Sequence, residues 1–146
     1  MNMKQFKFRP AALAMISGMV LACSAVSAHA GYYEEFGQKQ GIANIINDFV
    51  GVVAADNRIN SYFAHANIPA LKAALTNQVC EALGGPCKYT GPAMGPLHHS
   101  MGVTQAAFNA LTEDLIVAMD QHHVSVPAQN HLIKILAPMS SDIITK

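Results

Sequence analysis

The residues best suited to chemistry are gathered in one short stretch, Pro-Leu-His-His-Ser-Met-Gly-Val-Thr at 96–104. A neutral imidazole binds metal through one ring nitrogen and can relay a proton, so the paired His98 and His99 suggest a ligand site. On a helix, however, successive side chains are rotated by about 100° and only residues three or four apart share a face. His98 then lies over Met94 and Met101, whereas His99 turns towards Gly95, Gly102 and Val103. The two are not a two-ligand set, and His98 is the one with large apolar neighbours. The remaining histidines read more plainly. His65 is expected as a solvated corner residue, His122 and His123 as an exposed pair, and His131 on a partly exposed face. Tyr32, Tyr33, Tyr62 and Tyr89 read as structural. No Ser-His-acid set, phosphate loop or paired catalytic acids is present, so there is no enzyme signature of those kinds.

Residues 1–30 read as an export signal. Lys4, Lys7 and Arg9 form a positive start, an apolar run spans Ala11 to Ala22, and Ala28-His29-Ala30 is a small-x-small cleavage site. The apolar run is shorter than the roughly 20 residues a membrane span needs. A competing reading takes Val20-Leu21-Ala22-Cys23 as a lipobox, which would anchor the protein to lipid through Cys23. Soluble export to the periplasm is the preferred reading of the two. The domain is then 31–146, where Lys39, Arg58, Lys72, Lys88, Lys134 and Lys146 stand against all nine acids, a net charge of −3. That balance disfavours nucleic acid as a partner, because phosphates need a basic patch. Cys80 and Cys87 flank Gly84-Gly85-Pro86, and in an oxidising compartment a structural disulfide is the favoured reading over a redox-active pair.

Helices must position these groups. Ile42, Ile45, Ile46, Phe49, Val52 and Val53 recur at three- and four-residue steps between Gly41 and Ala55. Ile68, Leu71, Leu75, Val79 and Leu83 form a second stripe, stopped by Gly84-Gly85-Pro86. Thr104 is an N-cap for a third helix with Phe108, Leu111, Leu115 and Met119 on its stripe and Ile116 on the flank. A fourth starts near Pro127 and runs through Leu132, Ile135 and Leu136 towards Pro138. Nothing alternates as a strand, so the domain is all-α. Residues 84–95 hold four glycines and two prolines and are expected to be mostly loop, with Pro96 opening a short helix that Gly102 ends.

A small helical domain with more apolar surface than its own core needs, and one imidazole among apolar neighbours, can close around a flat apolar cofactor with that imidazole as axial ligand. The same residues also suit a core histidine satisfied by a backbone carbonyl, and the residues alone leave both open.

From Tyr32 to Ile144 the chain resembles the group 1 truncated hemoglobins, two-over-two α-helical globins. The resemblance runs through YYEEFGQKQGI at 32–42, DFVGVVAADNRINSYF at 48–63, ALGGPCKYTGPAM at 82–94, HHSMGVT at 98–104 and LAPMSSDI at 136–143. Each segment is weak alone, but five in order at the right spacing are specific. The resemblance implies heme b held by His98 as proximal iron ligand, with His99 a solvated neighbour. It implies that Phe63 wedges against the porphyrin and that Phe49, Val50, Leu71 and Leu75 face the distal side. It makes Met94, Leu97, Met101, Val103, Phe108 and Ile116 heme-packing positions. The implied partners are the diatomic gases O2, NO and CO. Family analogy allows NO dioxygenation or peroxidase-like turnover, for which an electron donor would be required.

Three departures stand out. Val50 occupies the place of a distal tyrosine, Ala74 and Leu75 that of a distal glutamine or histidine, and Gly37-Gln38 that of an early Gly-Gly. A hydrogen bond from such a donor to a partly charged acceptor contributes roughly 1.5–3 kcal/mol. Its loss should speed O2 release about tenfold or more, since 1.4 kcal/mol is tenfold. An apolar pocket that favours NO and CO relative to O2 is therefore expected. From other classes of function, a cofactor-free helical interaction module of the cell envelope and a histidine-based metal binder remain to be weighed.

Overall fold

The computed structural model describes residues 31–146. The export signal, its Ala30 cleavage site and Cys23 lie outside the described residues. Seven α-helices and two short 3-10 turns occur among them, and no strand. The long helices are α2 (Gln38–Ala55), α3 (Ile68–Ala82), α5 (Gln105–Gln121) and α6 (Val126–Leu136); α1 (Tyr32–Glu35), α4 (Met94–His98) and α7 (Ser140–Ile143) are single turns. None of the described helices is long and apolar enough to cross a membrane.

Short-range chemistry sets the helix ends. Thr104 caps α5 as expected, its hydroxyl accepting from Ala107 N–H at 3.1 Å. Asn67 caps α3 through Ala70 N–H in the same way. The helix placed near Pro127 starts one residue earlier, at Val126, because Ser125 is its cap. Its proline falls in the first turn, where a missing N–H costs nothing. At the end of α3, Gly84 takes the left-handed conformation at φ +81 and Gly85 N–H reaches back to the Cys80 carbonyl at 2.8 Å, closing the helix. The α1–α2 junction is tighter. Gly37 and Gln38 are both left-handed, at φ +75 and +57. Gln38, with a side chain, adopts this conformation at a cost of about 1 kcal/mol.

The helices form two layers, α2 with α3 and α5 with α6, in the expected two-over-two arrangement. Helix α2 sits at the centre, packed on both α3 and α5, and its stripe Ile42, Ile45, Ile46, Phe49, Val50 and Val53 is buried throughout. Met119 of α5 and Leu132 of α6 complete the core from the second layer. Each such side chain contributes about 1.5–3 kcal/mol on burial. The segment carrying His98 differs from expectation in two respects: the helix begins at Met94, not Pro96, and it ends at His98, short of Gly102. Ala93 is extended and acts as the cap, so Pro96 falls in the first turn, where an α-helix leaves N–H groups unbonded anyway.

Candidate functional site

A cavity of about 330 Å³ is lined by α2, α3 and the corner that joins them. Phe49, Val50, Val53 and Ala54 line it from α2, Ile68, Leu71 and Leu75 from α3, and Asn60, Ser61, Phe63 and Ala64 from the corner. Five of the site residues read from the sequence, Phe49, Val50, Phe63, Leu71 and Leu75, are thus brought together on one cavity wall. Asn60 and Ser61 are the polar side chains on this lining. They were not singled out in the sequence, where a polar dipeptide before an aromatic pair looks like any solvated turn.

His98 ends the single turn of α4 and is half-buried. Its Nδ1 lies 2.8 Å from the Met94 carbonyl oxygen. A carbonyl only accepts, so Nδ1 must carry the proton and donate, leaving the Nε2 lone pair available. Nε2 has no hydrogen-bond partner among the described residues. This is the arrangement of a metal-ligating histidine, whose second nitrogen is oriented by an outer-shell acceptor. The core-histidine reading foresaw the same carbonyl partner. His99 is exposed, as helical rotation required.

The other residues read from the sequence lie off this cavity lining. Met94, Met101 and Phe108 are half-buried, Val103 is buried, Ile116 is half-buried, and Leu97 is 46% exposed. The segment beyond His98 is held firmly. Val103 N–H donates to the Thr145 hydroxyl at 3.1 Å, and Thr145 N–H returns a bond to the Val103 carbonyl at 2.9 Å. Tyr62 donates its hydroxyl to the Gly102 carbonyl. His98 too lies off this lining. A flat apolar cofactor with one axial ligand would need both features, the apolar cavity with two phenylalanine rings and the imidazole whose Nδ1 is committed to Met94.

One histidine expectation needs correction. His122 is not an exposed residue without a carboxylate partner: it is half-buried and its Nε2 meets Asp48 Oδ2 at 2.8 Å. That bond, with help from Asn47, lowers the Asp48 carboxyl below its ordinary value. The partner comes from another helix, so no local pattern could reveal it. His131 is partly exposed on α6, as expected, its ring stacked on Tyr32 with centroids 4.1 Å apart. Cys80 and Cys87 are paired, with Cα atoms 5.7 Å apart, at the root of the loop leading to α4. Glu81 braces that loop by accepting from Tyr89 N–H at 2.8 Å and from Lys88 Nζ at 3.1 Å, which lowers its pKa.

The bacterial-like globin family matches residues 31–145. A group 1 truncated hemoglobin of Mycolicibacterium paratuberculosis is 27% identical over 116 residues, spanning 80% of this chain and 85% of that protein. A group 1 truncated hemoglobin of Tetrahymena pyriformis is 25% identical over 114 residues, 78% of this chain and 94% of its own. Among solved structures, the ferric truncated hemoglobin of T. pyriformis superimposes with a TM-score of 0.75 at 24% identity, covering 79% of this chain and 98% of that one. The 2/2 hemoglobin of Synechococcus sp. PCC 7002, solved in the cyanomet state with covalently attached heme, gives 0.73 at 24% identity over 80% of this chain and all of that one.

Proposed function

The chain belongs to the bacterial-like globin family, and from that premise we propose that it is an exported truncated hemoglobin that holds heme b on His98 and offers diatomic gases an apolar distal pocket. Heme-based binding of diatomic gases follows from membership, which displaces the cofactor-free module and the histidine-only metal binder. When bound, the heme supplies the iron that takes the gas. The chain's own residues do the rest. Met94 holds the His98 ring through Nδ1 and so raises the basicity of Nε2. Phe49, Val50, Phe63, Leu71 and Leu75 exclude water from the opposite side.

The observation that carries the assignment of His98 is its Nδ1 bond to Met94 with Nε2 left free. The test is optical. The purified or hemin-reconstituted protein should show a Soret band that disappears in His98→Ala and persists in His99→Ala. A folded, colourless protein that ignores added hemin overturns the assignment, as does a band that survives loss of His98.

The lining supports weak polar support for a bound gas. Val50 and Leu75 offer no donor, and Asn60 and Ser61 stand on the corner rather than on α2 or α3. We read this as a preference shifted from O2 towards NO and CO, consistent with a role in NO removal or redox turnover, which would require an electron donor. The apolar signal run and the Cys80–Cys87 pairing together support export to an oxidising compartment, in which that disulfide forms. Signal processing is tested by the N-terminal residue of the mature protein: Gly31 supports cleavage after Ala30, and a lipidated Cys23 overturns it.

A further inference from the structure

A charge cluster at the end of α2 has no part in the gas-binding reading. Asp56, just past α2, accepts from Arg58 N–H at 2.8 Å and from Arg58 Nε at 2.9 and 3.1 Å. Arg58 Nη1 meets Glu113 Oε2 at 2.6 Å, while Nη2 lies 3.8 Å from Asp114 Oδ1, too far for a hydrogen bond. Asp114 is the odd member. It is 5% exposed, on the inner side of α5, and its Oδ2 is buried with no hydrogen-bond donor among the described residues. Burial, and then the Asp56 carboxylate, push its pKa up, with Arg58 opposing. The charged groups that bear on it are Asp56 and Arg58 from the corner and Glu113 on its own helix.

A buried carboxylate oxygen with no donor carries the full desolvation penalty of that group, and a proton removes it. Arg58 Nη2 lies 2.8 Å from Asp56 Oδ2 and 3.8 Å from Asp114 Oδ1, so the two carboxyls meet at one guanidinium nitrogen and Asp56 is an acceptor beside Asp114. A shared proton agrees with Asp56 being lowered and Asp114 raised. Asp56 also starts the corner: its carbonyl accepts from Ile59 N–H at 3.1 Å and Asn60 N–H at 2.9 Å. The turn so begun supplies Asn60, Ser61 and Phe63 to the cavity. We propose that Asp114 is a positioning residue that keeps its proton in the folded protein and donates it to Asp56, fixing the 56–63 corner and the Phe63 wall against α5. The effect on the cavity rests on the heme-binding reading; the shared proton does not.

The sign of the pH dependence follows. A carboxyl whose pKa is raised by folding stabilises most fully below its unfolded value of about 4, and loses that contribution as pH climbs through the folded value. Asp114→Asn keeps a donor towards Asp56 and cannot ionise. Thermal unfolding of wild type and Asp114→Asn should therefore be compared from pH 4 to pH 8, with and without hemin. The variant's melting temperature relative to wild type should rise across that range, by on the order of 5 °C. A constant difference, or one that widens towards acid, overturns the shared proton. Should Asp114→Asn not fold, carboxyl-carbon NMR of the wild type decides: a midpoint above the ordinary aspartate range supports the proposal, one at or below it overturns it. With hemin bound, the ratio of wild-type to variant hemin-loss rates should rise with pH. A ratio independent of pH overturns the positioning role, and it is distinguishable from failure of the heme reading, in which no hemin is held at all.

Discussion

The Tyr62 hydroxyl donates a hydrogen bond to the Gly102 carbonyl at 3.2 Å, across 40 residues of chain. One end of this bond precedes Phe63 on the cavity wall, and the other lies four residues past His98. It therefore ties the corner that lines the cavity to the segment that follows His98. Tyr62→Phe keeps the ring and removes only this bond, which is expected to cost about 1 kcal/mol. A lower urea midpoint at unchanged m would show it. Hemin loss should also quicken, because the corner and the segment that follows His98 are no longer joined here.

Restoring the missing donors should restore O2 retention. Val50→Tyr and Leu75→Gln each place a polar group on the cavity lining. Each is expected to slow O2 dissociation by about tenfold, from roughly 1.4 kcal/mol of added stabilisation. Stopped-flow displacement of O2 by CO measures it. Unchanged dissociation in both variants would mean that the lining does not face the gas.

Gly41 is expected to tolerate no side chain. A Cβ there would lie 2.1 Å from the Phe36 carbonyl oxygen, a backbone atom that cannot step aside. Gly41→Ala should cost about 3 kcal/mol, the upper range for overpacking. Thermal unfolding of the two proteins gives the difference, and the loss should appear without hemin as well as with it.

The pair Cys80–Cys87 closes a short loop at the root of the segment leading to His98. Replacing both by serine should lower stability by about 2 kcal/mol, the loop-closure entropy of a ring this size. Comparing oxidised and reduced wild type tests the same quantity without mutation, and equal stability of the two would show that the bond contributes nothing.

Acid should loosen this loop through Glu81. Its carboxyl is held below the ordinary value first by Tyr89 N–H and then by Lys88. A depressed carboxyl contributes stability above its unfolded pKa and loses it as pH falls through the folded one. Exchange protection of the Tyr89 amide should decline as pH falls below about 4.5. Glu81→Gln should remove that dependence.

The sequence by itself determined the four long helices, the Thr104 cap, the stop after α3 and the parting of His98 from His99. Thr104 caps α5 and Gly84 closes α3 because caps use atoms a few residues apart. His98 parts from His99 because a helix rotates about 100° per residue. Asp114, between Leu111 and Leu115 in the sequence, is buried only by the fold. What only the tertiary structure decided are pairings between distant segments: Asp48 with His122 across 74 residues, Arg58 with Glu113 across 55, Tyr62 with Gly102 across 40. The helix crossings also decided which of the expected site residues share one cavity wall. Periodicity tells which face of a helix is buried, but not against what. The partner is set by how α2 crosses α3 and α5, and that crossing depends on the packing of whole faces rather than on any short run of residues.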